Sequence, residues 1–529
     1  MIEKRSIIRI AVFMVLLLVC FAPDTGSVTA RTRGVCDVNA YQRLCRYLSS
    51  LSGVSVDVIS LDRTELIGNI YKYSCILKVG EGKFDKIGIY RVVKEQSPWH
   101  PITADRAVMM VHGDSSAFNS EFLMSTLSDK APDDYSLAIY LAKNDIDVWG
   151  VDRRWTFVPG ETEDFSFMEG WDTALHLRDL KLGVKLARLV RWVTGNGFGR
   201  IFMLGHSRGA AFAYAYANDE AANADPEGTL WEKPDLRGII PIDWVYKLDP
   251  DQTELIENAY QSYLTLKALY DSGIYHTREA ADLKGIAFLA ATEPDQPSPV
   301  MDGFTNMQAA LFCLSATYLT CPGAMPPPVP SYHFCAGNFD EYGRLPTGLQ
   351  FTDIDYMFDF AFAVPSFQSL GEQIDGEAIR CGIDTPYDGH LAEIKIPVCY
   401  VGVAGGFGEY GEYTLDLLGS TDTTSLLVRR LCGDVNCDGK VNISDVKELI
   451  YHVCSGQPVC NDWAADINCD ARLNIMDVWP LMGHVWLGDK VCCCQRDRAG
   501  EIGHIDPLFA SPSAEKMVWK PICDWINSH

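Results

Sequence analysis

The sequence is poor in basic residues, and it has no long apolar run beyond its first thirty positions. Lysine and arginine number 45 against 70 aspartates and glutamates, which leaves a formal net charge of −25. A surface of that sign repels phosphate backbones and anionic lipid headgroups, so we expect neither nucleic-acid binding nor electrostatic membrane binding. The lack of a later apolar stretch of about 20 residues argues against an integral membrane segment in the mature protein. Paired Cys-x-x-Cys knuckles are also lacking, so the cysteines do not favour a zinc site.

The composition is otherwise that of a folded protein. Apolar residues make up 47% and charged residues 22% of the 529 positions, a mixture that excludes wholesale disorder. At about 150 residues per domain, this length predicts two to four units, or one large enzyme that carries a module.

The first thirty residues have the pattern of a secretory signal peptide. Basic residues precede an apolar run over 10–22, and the small-residue segment Val28-Thr29-Ala30 follows. We therefore expect cleavage and a secreted, extracellular protein. Disulfides persist in such surroundings, and removal of Cys20 leaves seventeen of the eighteen cysteines. Because seventeen is odd, at least one thiol is predicted to be free or paired between chains.

An acidic twelve-residue loop occurs twice, 32 residues apart, and each copy continues into an apolar i, i+3, i+4, i+7 stripe typical of a helix. Oxygen-bearing side chains stand at loop positions 1, 3, 5, 9 and 12, and position 7 offers its carbonyl. Calcium prefers this donor set, so we predict two non-catalytic calcium ions. The predicted ligands of the first ion are Asp434, Asn436, Asp438, Asn442 and Asp445 with the carbonyl of Lys440. Those of the second ion are Asp466, Asn468, Asp470, Asn474 and Asp477 with the carbonyl of Arg472.

These loops resemble a type I dockerin, the duplicated calcium module that docks enzymes onto cohesin-bearing scaffoldins. The resemblance implies a small all-α module over 431–490 and a cohesin or scaffoldin partner, hence attachment to a scaffold or cell surface. Ala471 stands where the family's loop has glycine, as Gly439 does in the first copy, so we expect weaker calcium binding at the second site. No clear entering helix precedes either loop.

The rest of the chain alternates strand-like and helix-like segments, which predicts a mostly parallel α/β sheet with helices on both faces. A strand-like run over 200–204 leads straight into Gly205-His206-Ser207-Arg208-Gly209, and an alanine-rich helix follows. A Gly-x-Ser-x-Gly segment between a strand and a helix is typical of a catalytic serine on a sharp turn. We predict that Ser207 is a nucleophile.

These features resemble the α/β-hydrolase fold superfamily, over about 55–430 and the C-terminal tail. The resemblance implies a doubly wound, mostly parallel sheet with a cap insertion and the chain order nucleophile, acid, histidine. It also implies that the backbone N–H groups of Arg208 and of Asp114 bind the oxyanion. The expected organisation is a signal peptide at 1–30, hydrolase core at 31–244, a cap at 245–393, core again at 394–430, the calcium module at 431–490 and a C-terminal hydrolase part at 491–529.

The order of the family points to His504 as the general base. His504 lies just before a closing amphipathic helix, whereas the other histidines after Ser207 fall in the cap insertion, in the calcium repeats, before a strand or at the terminus. We therefore predict that His504 accepts the Ser207 proton.

The acid is less clearly marked. Most members of the superfamily carry it after the strand-like run over 396–402, but the matching place here holds Gly405-Gly406. We favour Asp243, at the end of the preceding strand, and Glu409 is the alternative.

The sequence thus predicts a secreted serine hydrolase of carboxylic esters, acting on either a carbohydrate-linked ester or a lipid ester. The dockerin resemblance implies polysaccharide breakdown, whereas the apolar cap favours a lipase. A second class remains open: a catalytically silent hydrolase fold that serves as a calcium-dependent assembly protein. Because the calcium module precedes His504 in the chain, we also hypothesise that calcium loading tunes activity.

Overall fold

The computed structural model describes residues 38–316, 328–330, 332–340, 345–429, 433–436, 440–459, 462–465, 467, 473–487, 501–509 and 512–529. The predicted signal peptide at 1–30 lies outside the described residues. No helix in the described ranges combines the length and apolar character needed to cross a membrane.

Ten of the described strands form one sheet. The strands are β1 Asp57–Ile67, β2 Ile70–Lys78, β3 Lys86–Ser97, β4 His100–Pro101, β5 Arg106–Val111, β6 Ile146–Asp152, β7 Ile201–His206, β8 Leu236–Ile242, β9 His276–Thr277, β10 Gly337–Phe339, β11 Pro346–Leu349, β12 Gln368–Ser369, β13 Val398–Val403 and β14 Thr423–Val428. The order in the sheet is β1-β2-β3-β6-β5-β7-β8-β13-β14, and β4 pairs with β3. The pairs from β1 to β6 are antiparallel and those from β6 to β14 are parallel. The predicted mostly parallel sheet therefore carries an antiparallel edge.

Helices connect and cover these strands. They are α1 Val38–Ser52, α2 Phe118–Phe122, α3 Leu137–Lys143, α4 Thr173–Val193, α5 Arg208–Asn223, α6 Thr253–Asp271, α7 Glu279–Thr292, α8 Asn306–Ser315, α9 Ile354–Ala363, α10 Leu370–Arg380, α11 Tyr413–Asp416, α12 Ile443–Ser455, α13 Asp462–Ala465, α14 Ile475–Leu487, α15 Pro512–Ala514 and α16 Lys520–Ser528. A π-helical turn, Glu515–Trp519, joins α15 to α16.

Successive side chains of a strand point to opposite sides of the sheet. In the central strands both sides are buried, because helices cover both faces. In β5, Met109 and Val111 pack into the core beneath α1, α4 and α5. Val108 and Met110 pack into the opposite core with α3 and α16. These continuous apolar runs are typical of parallel strands covered by helices on both faces.

The segment between β8 and β13 contains α6 to α10, together with the small pairs β9–β12 and β10–β11. This segment corresponds to the predicted cap insertion. Its helices pack mainly on one another, α7 against α8 and α9, and α6 against α10.

The acidic repeat has a core of its own, in which α12 packs against α14 through Val446, Leu449, Val478 and Leu481. The matched apolar stripes of the two repeats thus face one another, as their spacing predicts. One difference from the sequence-based expectation is α13, a short helix that precedes the second loop. This unit follows β14 in the chain, and beyond it an isolated parallel bridge pairs Gly503 with Gly405, two residues after the end of β13.

Candidate active site

Ser207 lies on the turn between β7 and α5. Its backbone has φ 53° and ψ −127°, a conformation that costs a residue with a Cβ about 1–3 kcal/mol. Two hydrogen bonds hold the turn: the Ser207 N–H donates to the Ile242 carbonyl at 2.9 Å, and the Ser207 carbonyl accepts from the Ala210 N–H at 2.8 Å. The surrounding structure therefore maintains the strained turn, and the Ser207 side chain lines a cavity.

The two glycines of the motif are required by close packing. A Cβ on Gly205 would overlap the carbonyl of Gly209, and a Cβ on Gly209 would overlap the carbonyl of Val111 in the neighbouring strand β5. Glycine at both positions lets α5 begin directly against the strand ends.

Asp243 and His504 form a buried pair. His504 Nδ1 lies 2.6 Å from Asp243 Oδ2, and the two residues are 2% and 0% exposed. Asp243 Oδ1 accepts hydrogen bonds from the backbone N–H groups of Val403 at 2.9 Å and Gly408 at 3.0 Å. Such donors stabilise an ionised carboxylate. Nδ1 of His504 is thus the protonated nitrogen, and Nε2 is left for a second partner.

Burial lowers the pKa of His504, and the neighbouring His206 lowers it further, against the opposing effect of Asp243. The His504 imidazole is therefore neutral near pH 7 and able to accept a proton. Ser207 and His504 line the same cavity, without a direct hydrogen bond between them in this structure. Catalytic hydrogen bonds of ligand-free enzymes are often long and tighten when substrate binds.

The alternative acid, Glu409, lies on an exposed turn after β13 and has no hydrogen bond or ion pair with His504. Gly406, close to the place where most members of the superfamily carry the acid, is packed directly against Asp243. A Cβ at this position would overlap the Asp243 carboxylate. The carboxylate therefore reaches the histidine from β8 instead of from the loop after β13.

The His504 loop is anchored to the cap and core by backbone hydrogen bonds. The N–H of His504 donates to the His333 carbonyl and that of Ile505 to the Phe334 carbonyl, both at 3.0 Å, and the N–H of His333 donates to the Gly405 carbonyl at 2.8 Å. The sequence placed His333 only within the cap insertion. Its role in holding the loop depends on contacts more than 150 residues apart, for which the sequence carries no signal.

The predicted oxyanion donors lie at the same cavity. In the described part of the chain, the backbone N–H groups of Arg208 and Asp114 have no hydrogen-bond acceptor. The Arg208 side chain binds Asp114, with Nε 3.2 Å from both carboxylate oxygens. Burial acts to raise the pKa of Asp114, but the Arg208 charge and hydrogen bond outweigh it and lower that pKa.

Gln368, which the sequence did not single out, fixes the loop that carries Asp114. Its Oε1 accepts the N–H of Ser115 at 2.8 Å, and its Nε2 donates to a carboxylate oxygen of Asp114 and, at 2.7 Å, to Glu372. Ser115 has a φ of 51°, so the hydrogen bond that its N–H donates to Gln368 stabilises a backbone conformation that serine rarely adopts.

Arg153 holds the same loop from its other side. Its guanidinium donates to the carbonyls of His112 at 2.9 Å and Gly113 at 2.5 Å, and it forms a buried ion pair with Glu372 at 3.1 Å. Glu372 and Gln368 both belong to the cap segment. The cap therefore braces the loop that contains Gly113, Asp114 and Ser115, which is the predicted oxyanion loop.

The cavity has a volume of about 380 Å³, within the usual range of small-molecule sites. Its wall is largely apolar and contains Trp244, Leu266, Leu283, Phe334, Phe360 and Phe407. Ionisable side chains also line it, at Asp114, Glu121, His206, Arg208, Glu279, Tyr332, Glu377, Arg380 and His504. The cavity therefore combines an apolar wall with charged and polar groups around Ser207.

The acidic loops are described in part. Of the twelve predicted calcium ligands, Asp438, Asp466, Asn468, Asp470 and Arg472 lie outside the described residues. Asp434, Asp445 and Asp477 are buried, and Asp445 accepts the backbone N–H groups of Asn436 and Asn442. The described residues alone contain no group of three acidic, histidine or cysteine side chains able to hold a metal. Buried carboxylates together with amide oxygens nevertheless form the type of donor set that suits calcium.

No protein-family model matches the chain, and no curated protein matches it. The chain does match solved structures. A candidate lipase from Sulfolobus solfataricus is 15% identical with a TM-score of 0.51, and the match covers 89% of this chain and 99% of that one. A soluble variant of monoglyceride lipase from Saccharomyces cerevisiae is 14% identical with a TM-score of 0.33, covering 70% and 85% of the two chains. The first similarity and the sheet topology show the α/β-hydrolase fold.

Proposed function

We propose that this chain is a secreted serine hydrolase that cleaves carboxylic esters by acyl transfer. One observation carries the proposal: the strained Ser207 turn and the buried His504–Asp243 pair open onto one cavity. A serine, a neutral imidazole and an ionised carboxylate are the groups that nucleophilic acyl transfer requires.

In this mechanism the Ser207 hydroxyl oxygen attacks the ester carbonyl carbon while His504 Nε2 takes the hydroxyl proton. Asp243 stabilises the resulting imidazolium through Nδ1. The N–H groups of Arg208 and Asp114 bind the tetrahedral oxyanion. His504 then gives its proton to the departing alcohol, and water repeats the sequence on the acyl-enzyme to release the acid.

The apolar wall of the cavity favours an ester with an aliphatic acyl chain. Burial of each methylene contributes about 0.8 kcal/mol, or roughly a fourfold gain in kcat/KM. We therefore expect kcat/KM for nitrophenyl esters to rise from acetate toward longer chains until the cavity is filled. A preference for acetate over every longer chain would contradict an aliphatic acyl site and favour a small acyl group on a carbohydrate.

Fluorophosphonate labelling tests the nucleophile. The wild-type protein should be labelled, and S207A should lose both labelling and at least about 10⁴-fold of the ester turnover. S262A, which alters another serine of the cavity wall, is the matched control and should still be labelled. If the wild type is neither labelled nor active, the silent assembly protein becomes the better account.

We further propose that the acidic repeat binds two calcium ions and docks to a cohesin-type partner. The chemistry of the donor set supports calcium. Support for a partner comes from the α12–α14 unit, which exposes Tyr451, Met476, Trp479, Trp486 and Leu487 to solvent. Large exposed apolar side chains grouped on one small unit are typical of a protein-binding surface.

A further inference from the structure

Glu121 is a buried carboxylate that the proposed ester mechanism does not use. It belongs to the short helix α2, directly after the predicted oxyanion loop, and it is 2% exposed. Its two oxygens accept the backbone N–H of Gly113 at 3.1 and 2.9 Å. Oε1 also lies 3.0 Å from Nδ1 of His206, the residue that precedes Ser207. Glu121 therefore joins the oxyanion loop to the nucleophile turn.

His206 continues this connection to the third loop of the site. Its Nε2 lies 2.9 Å from the backbone carbonyl of His504. A carbonyl only accepts hydrogen bonds, so Nε2 carries a proton, while Nδ1 faces the Glu121 carboxylate. Both ring nitrogens of His206 therefore lie next to hydrogen-bond acceptors. A protonated imidazole, which has an N–H at each nitrogen, can donate to both acceptors.

The electrostatics agree with this assignment. Burial acts to lower the pKa of His206, but the charge of Glu121 and the hydrogen bond to it outweigh burial and raise that pKa. The rings of His206 and His504 lie 4.6 Å apart between centroids. A positive charge at that distance disfavours a second positive charge on His504, so His206 lowers the pKa of His504.

We propose that the Glu121–His206 ion pair is a positioning device that ties together the predicted oxyanion loop, the turn at Ser207 and the His504 loop, and that the positive charge of His206 keeps His504 in its neutral form. The proposal rests on the proposed function, because it assigns these loops to ester hydrolysis. Neither residue touches the reacting atoms in this scheme. They act through Gly113 and His504.

The largest electrostatic effects on the two imidazoles come from Glu121, Asp243 and the imidazoles themselves. At His504, Glu121 and Asp243 raise the pKa, whereas His206 lowers it. The Tyr332 ring also packs on His504, with centroids 5.2 Å apart. Asp506, two residues after His504, is a further titrating group, since burial raises its pKa to about 7. Asp506 is therefore protonated over the pH range in which His504 gains its proton, and D506N mimics that form.

The test separates charge from shape. In E121Q the amide oxygen still accepts from Gly113 and the amide nitrogen donates to Nδ1 of His206, so the contacts remain while both charges disappear. The acid limb of the kcat/KM profile reports the protonation of free His504. Loss of the His206 charge raises the pKa of His504, and loss of the more weakly acting Glu121 charge offsets part of that rise. We therefore expect this limb to move upward by up to about one pH unit in E121Q, and to stay in place in the control D506N.

E121A removes the contacts as well, and we expect kcat to fall roughly 100-fold with little change in KM. An unshifted acid limb in E121Q would overturn the electrostatic role. Wild-type kcat in a folded E121A would overturn the positioning role. Histidine NMR titration of S207A and S207A/E121Q measures the same pKa difference of His504 without turnover. An inactive wild type would therefore disprove the proposed function and leave this inference measurable.

Discussion

At the scale of single residues, the geometry of the site depends on the chain position from which a carboxylate, that of Asp243, reaches His504. Asp243 has a φ of 45°, another strained position at a strand end, and its side chain accepts backbone N–H groups from Val403, Phe407 and Gly408. The same carboxylate leaves no room for a side chain at Gly406. Packing therefore links the two positions: the Asp243 carboxylate after β8 fills the space that a side chain after β13 would need.

Exchange of Asp243 and Glu409 for their amides distinguishes the two acids. D243N retains the shape but presents His504 with a group that favours the wrong tautomer, so we expect kcat to fall about 10³- to 10⁴-fold. E409Q changes an exposed carboxylate, and its kcat should stay within about twofold of wild type. Steady-state kinetics on a nitrophenyl ester make the measurement. A large loss in E409Q with little loss in D243N would reverse the assignment.

At the scale of elements, the cap does more than cover the cavity. Strand β12 and helix α10 carry Gln368 and Glu372 back to the predicted oxyanion loop, where the two side chains bind Ser115, Asp114 and Arg153. A loop held by hydrogen bonds from two separate chain segments keeps its N–H groups oriented before substrate arrives, which is the condition for oxyanion stabilisation.

Q368A tests this bracing. Loss of the side chain frees the Ser115 N–H and lets the Asp114 backbone relax, so we expect kcat to fall about 10- to 100-fold with KM nearly unchanged. The matched control is Q261A on the exposed face of α6, which should have wild-type kinetics. An equal rise in KM with constant kcat would mean that Gln368 serves substrate binding instead.

At the scale of the whole molecule, the acidic repeat lies in the chain between β14 and His504. Sequence order alone suggests that the calcium repeat controls the His504 loop. The loop, however, is attached to the core by hydrogen bonds from Gly405, His504 and Ile505, and none of these involves the repeat. From these contacts of the described residues, we expect the repeat to unfold without disturbing the proposed ester site.

Calcium removal should therefore lower the thermal stability of the acidic repeat and leave the proposed ester site unchanged. At a calcium concentration 100 times the Kd, binding stabilises the repeat by about 2.7 kcal/mol per site. For a unit of this size, that corresponds to a loss of roughly 10 °C or more in Tm when EDTA is added. Scanning calorimetry should show this shift for the repeat alone, while esterase activity at 25 °C stays within about twofold.

D445N provides the control, since loss of one ligand should reduce the response of Tm to EDTA. An unchanged melting profile of the wild type with EDTA would contradict calcium binding. A fall in esterase activity while the hydrolase remains folded would show instead that calcium loading and the His504 loop are coupled.

Several elements were predictable because their signals are local. The Gly-x-Ser-x-Gly segment marks its own turn, since steric overlap at two positions excludes all side chains. The apolar stripes of α12 and α14 have the same spacing, which predicts that each helix has one apolar face and that the two faces pack together. The short helix α13 was missed because four residues are too few to display a period.

The strand, turn and helix around Ser207 and the paired repeat could be predicted from the amino-acid sequence, because these features depend on neighbours within a few residues. The folded chain was needed to show that Asp243, not Glu409, pairs with His504, that Gln368 and Arg153 brace the predicted oxyanion loop, and that Glu121 and His206 link three loops. Apart from the Glu121–Gly113 contact, which spans eight positions, those contacts join residues that are 40 to 298 positions apart. Hydrogen bonds of this kind depend on how the sheet and cap bring distant segments together, and no periodicity along the chain records them.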